Sequence, residues 1–169
     1  MTILNPDHLF EQAERLIGRP SSGPTRQVDI RRAISAAYYG LFHATLAGAA
    51  DLFVGVTKRS SNLYALAYRS VDHGSFRDLC FEARKTQLPQ KYRQYVTAGA
   101  FGANIQDFAG AAIDLQEKRH SADYDPSIRV KISDAILAIK TARDALVRFN
   151  AADSDQREAF LGLLLFRPR

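Results

Sequence analysis

Between residues 30 and 45 the apolar positions fall at Ile30, Ile34, Ala37, Tyr38, Leu41, Phe42 and Thr45. Steps of three and four turn one stripe of a helix inward and leave Arg32, Ser35, Tyr39 and His43 on another face. Thr25 is placed to cap this helix, which should run towards Gly55. Upstream, Asn5-Pro6 reads as a cap followed by proline in the first helical position, with Leu9, Phe10, Ala13, Leu16 and Ile17 at helical spacing until Gly18. The glycine, proline and serine residues of 18–25 predict a loop.

The same period returns downstream. Ser60 or Ser61 can start a third helix whose apolar face is Leu63, Leu66, Ala67 and Val71, with a bend at Gly74-Ser75 before Phe76, Leu79, Cys80 and Ala83 resume it. Pro89 ends that arm, and 90–102 has no clear period. Ile105, Phe108, Ala109, Ala112 and Ile113 mark a further helix that closes at Asp125-Pro126. After Pro126, Ile128, Ile132, Ala135, Ile136, Ile139, Leu146 and Phe149 form one long apolar stripe.

No strand period persists anywhere, so the predicted fold is all-α: an up-and-down bundle of four main helices plus short additional ones. One domain is expected over 1–169, with a short first helix and loop at 1–25 and an apolar extension at 151–169. Ile34, Ala37, Leu41, Ile113, Ile136 and Ile139 should share one core. The apolar run 159–166 is too short to span a bilayer and should pack on the bundle or meet a partner. With no long apolar run and no basic, apolar start, a cytoplasmic protein that does not enter membranes is expected.

Composition alters this picture little, and charge rather more. The single cysteine, Cys80, has no disulfide partner and reads as a buried hydrophobe. Eight basic and three acidic residues lie between Lys58 and Arg93, which accounts for the whole net charge of +5. Tyr64, Tyr68, Phe76, Phe81, Tyr92 and Tyr95 are interleaved with them. Cations among stacking rings suit single-stranded nucleic acid, but the same pattern describes a solvated helix face whose aromatics point inward.

The run Arg31-Arg-Ala-Ile-Ser-Ala-Ala-Tyr38-Tyr39-Gly-Leu-Phe-His43, taken with Arg119-His120-Ser-Ala-Asp123-Tyr124-Asp125-Pro126, resembles HEPN domains over roughly residues 9–149. The resemblance implies a helical domain that binds nucleotide or RNA and pairs with a minimal nucleotidyltransferase in a toxin–antitoxin-type system. It also implies a homodimer. HEPN ribonucleases carry an arginine followed after four to six residues by a histidine, and cleave RNA without metal. The histidine moves a proton at the ribose and the arginine meets the charge on the scissile phosphate.

This chain lacks that spacing. The family arginine maps onto Arg119, and Tyr124 stands where many members have histidine. A phenol, with an ordinary pKa near ~10, is a poor base at neutral pH, although it can donate a hydrogen bond to phosphate. His120 follows Arg119 directly and so points about 100° away from it on a helix. Arg119, His120 and Tyr124 are the catalytic candidates for a metal-independent ribonuclease toxin acting as a dimer. Arg32, Tyr39, His43, Arg69, His73 and Asp123 are the ligand-binding ones, with Arg69 and His73 expected one turn apart on one helix. The opposing reading makes Arg119, Asp123 and Tyr124 a clamp at the end of a helix in a purely structural interaction module. No phosphate loop, His-x-x-x-His pair or nucleophile elbow occurs, and neither a cofactor nor a metal is expected.

Overall fold

A computed structural model describes residues 4–18 and 23–168. Part of the predicted loop at 18–25 therefore lies outside the described residues. Those described form eight α-helices and one 3-10 turn, with no strand among them. The all-α bundle is borne out.

Helix α1 (Pro6–Ile17) begins as its sequence predicts: Asn5 Oδ1 accepts from the backbone N–H of Asp7, and Pro6 stands in the first turn. Phe10 and Ala13 are its buried residues. Helix α2 (Gln27–Phe53) is about 40 Å long at the standard rise. Every residue of its predicted apolar stripe is buried, and it packs against α1 and four later helices, a surrounded position that a helix apolar on several sides must take. Its cap differs from expectation. Arg26, not Thr25, is the N-cap residue, and it makes no side-chain capping bond; its guanidinium pairs with Asp29 instead.

The third arm is two helices rather than one bent helix. Helix α3 (Asn62–Arg69) is capped by Ser61, whose hydroxyl accepts from Tyr64 N. Helix α4 (His73–Ala83) has its own N-cap, Asp72, whose carboxylate accepts from Ser75 N at 2.6 Å. Two start signals eleven residues apart outweigh the continuous apolar period. Leu63 and Leu66 are exposed, Leu66 at 67%, and Tyr64 is the buried residue of α3. After α4 come a single turn, α5 (Gln90–Arg93), and the long α6 (Ala103–Tyr124).

Helix α7 starts only at Ile132 and runs to Ala151, because residues 125–131 are pinned to the start of α2. Gln27 donates to Val130 O at 2.7 Å and accepts from Val130 N at 3.1 Å. Arg31 donates to the carbonyls of Ala122, Asp125, Pro126 and Ile128. With α7 held in this register, its alanines Ala135, Ala138, Ala142 and Ala145 face inward, while Ile132 and Ile136 face out, Ile136 at 54% exposure. Ile136 is thus the member of the predicted core that the structure removes. The apolar tail is α8 (Ser154–Leu165), which buries Phe160, Leu161, Leu163 and Leu164 on the bundle. Phe160 meets Phe108 and Phe149 edge-on at 5.6 and 5.7 Å.

Candidate functional site

Helices α2, α4 and α6 enclose a cluster of polar and aromatic side chains. Arg119, on α6, is 7% exposed. Its guanidinium lies over the rings of Tyr38 and Tyr39, at 5.4 and 5.7 Å from their centroids. One turn on, the Asp123 carboxylate is 3.7 Å away, longer than a hydrogen bond. The second oxygen of Asp123 is engaged elsewhere, accepting from the Ser35 hydroxyl at 2.5 Å. Arg119 Nε is buried with no hydrogen-bond partner. A guanidinium sunk this far forfeits its hydration, and two ring faces with one loose ion pair return only part of it.

His73 enters from the first turn of α4. Its Nδ1 is 2.8 Å from the Tyr38 hydroxyl, and its ring packs against Phe42 at 4.3 Å and Tyr39 at 5.7 Å. Gln116 on α6 donates to its backbone carbonyl at 3.1 Å, which leaves the Gln116 Oε1 buried and unpartnered. His43 lies one turn beyond Tyr39, with its Nδ1 2.7 Å from the Tyr68 hydroxyl of α3. Both imidazoles are held below the ordinary histidine range, His43 by burial and then by His73, and His73 by burial and then by the positive charge of Arg119. Burial pushes the Tyr38 phenol well above its ordinary value, so it stays protonated.

Two open depressions flank the cluster. A cleft of about 350 Å³ is lined by Arg77, Gln116, Glu117, Arg119, His120 and Ser121. A second groove of about 490 Å³ has Arg31, Arg32, Tyr39, Asp123 and Tyr124 in its wall. Arg119, Asp123, Tyr39, His43 and His73 are therefore brought together, with Arg32 at the groove. His120 and Tyr124 stand outside: both are exposed, Tyr124 at 66%, and their rings touch each other at 4.9 Å. Arg69 does not join the site. It ends α3 and is exposed, and the break at 70–72 separates it from His73.

The cationic stretch 58–93 divides in the same way. Tyr64 and Phe76 are buried, Tyr68 is tied to His43, and Arg59, Arg77 and Lys85 are paired with Asp51, Glu117 and Glu82. Most of it is a solvated face over an aromatic interior. Sequence reasoning missed Gln116 and Arg31, whose roles rest on backbone carbonyls of other elements. No group of three or more potential metal ligands occurs among the described residues, and none of their helices is long and apolar enough to cross a membrane. Comparison with protein-family models, with curated proteins and with solved structures returns no match.

Proposed function

We propose that this chain is a HEPN-like domain that binds RNA or a nucleotide through a phosphate seated in the cleft over Arg119, without cleaving it. The observation that carries the reading is the incomplete pairing of that arginine: a buried guanidinium with an unpartnered Nε and its carboxylate at 3.7 Å. A phosphate at the cleft adds a close anionic partner to a cation whose own carboxylate stands at 3.7 Å, with Arg77 and His120 at the rim. Tyr124, exposed beside the second groove, is free to donate a hydrogen bond or stack under a base.

The test is binding of a short single-stranded RNA across a salt series. Arg119→Ala should lower affinity and flatten the salt dependence, since each phosphate contact on a single strand contributes about 0.7 to the logarithmic slope. Tyr124→Phe, which removes only a hydroxyl, should lose on the order of 1 kcal/mol of binding with the fold unchanged. Variants that bind as the parent does but melt earlier make the cluster a structural clamp, and the chain an interaction module.

One observation favours a ribonuclease as the second reading: His73 brings from another helix an imidazole linked to Arg119 through Tyr38, near the arginine though not on the cleft wall. RNA cleavage that persists in chelator and is lost in His73→Gln would establish it. Homodimerisation, supported by exposed Ile132, Ile136 and Leu137 on α7, is checked by sedimentation. Pairing with a minimal nucleotidyltransferase rests on the resemblance and is checked by co-purification.

A further inference from the structure

We propose that anion binding at the Arg119 cleft is coupled to uptake of a proton by His73, so that RNA is held more tightly as the pH falls. The inference rests on the binding role given to the cleft and adds its regulation. His73 does not line the cleft; Tyr38 links it to Arg119, meeting His73 with its hydroxyl and the guanidinium with its ring. An anion bound there therefore reaches His73 only by cancelling the charge of Arg119.

Each group packed around His73 bears on that balance. From α6 comes Arg119, whose charge opposes a second cation, while Asp123 is shared between Arg119 and Ser35. From α2 come the neutral phenols Tyr38 and Tyr39 and the imidazole of His43, itself bonded to Tyr68 of α3. From the chain before α4 comes Asp72, which favours the charged imidazole weakly because its carboxylate already caps Ser75. Arg119 is the full positive charge that opposes a proton on His73, and a bound phosphodiester is the event that neutralises it.

The hydrogen-bond geometry accommodates the extra proton without moving a heavy atom. When His73 is neutral, either tautomer keeps the 2.8 Å contact: the Tyr38 hydroxyl donates to a bare Nδ1, or an Nδ1–H donates to the Tyr38 oxygen. A proton taken from solvent makes both ring nitrogens donors, so the imidazolium Nδ1–H donates to the Tyr38 oxygen and the hydroxyl hydrogen of Tyr38 turns away from the ring. Tyr38 can serve in both states because burial keeps its phenol protonated.

The probe is an oligouridylate without terminal phosphate, whose phosphodiesters do not titrate between pH 5.5 and 8. Its affinity for the full chain should rise about two- to fivefold from pH 7.5 to 6.0, below the tenfold-per-unit ceiling of one linked proton. The Nε2-side ring proton signal of His73 should titrate at higher pH with the oligonucleotide bound than without it. His120 is the other imidazole an anion would meet, so the pH dependence must survive in His120→Gln and vanish in His73→Gln. Because the latter disturbs a packed ring, the titration of His73 in the unmutated protein is the deciding measurement. Binding with flat pH dependence and an unmoved His73 titration overturns the linkage alone. No binding at any pH overturns the cleft reading as well, and with it the inference.

Discussion

Gly40 shows how narrowly single residues are fixed in this bundle. A Cβ built on it would lie 2.7–2.9 Å from three ring atoms of Phe10, so the α1 aromatic rests directly on the α2 backbone. Gly40→Ala should therefore destabilise the protein by about 1–3 kcal/mol, despite the better helix propensity of alanine. Thermal unfolding checks it, and the loss should shrink in a Phe10→Leu background where the ring is gone. The sequence singles out Arg119 through the run that ends at Asp125-Pro126, and helical spacing puts Asp123 one turn from it. Its stacking on Tyr38 and Tyr39 could not be read there, since nothing in a helical period says which face of another helix it meets.

At the level of elements, the cap is what separates α3 from α4 and thereby places His73. Asp72→Ala removes the carboxylate that accepts from Ser75 N and should cost about 1 kcal/mol in chemical denaturation. It should also disturb the Tyr38–His73 bond, so the His73 ring resonances should shift more than those of His120. The amphipathic stripes of α2 and α6 and the start of α1 were legible because each rests on local spacing or a local cap. The register of α7 was not: Arg31 and Gln27 hold the segment before it from about a hundred residues upstream. That tether selected the alanine face for burial and turned Ile136 outward.

For the whole molecule, the depressed imidazoles set a pH dependence of stability. His43 and His73 bind protons less readily in the folded chain than in the unfolded one, where histidine titrates near ~6.5. Below that pH the unfolded state holds more protons, so stability falls as the pH drops and stops falling once the folded imidazoles titrate too. The melting temperature should be lower at pH 5.5 than at pH 7.5, and the difference should narrow in His43→Gln/His73→Gln. Asp51 and Asp72, held below the carboxylate range by hydrogen bonds to Arg59 and to Ser75 N, add a separate loss below about pH 4 as they protonate.

The Ser35–Asp123 bond spans 88 positions of chain. A chain made from its amino end releases α2, α3 and α4 before α6 exists, so Tyr38, Tyr39 and His73 are synthesised long before the arginine that lies over two of them. Closing so large a loop is slow relative to forming the helices themselves. Until it closes, the rings of α2 have no cover from α6. The cluster around Arg119 is thus a late product of folding, and a chain stopped before residue 119 carries the aromatics and histidines of the site with no cation to organise them.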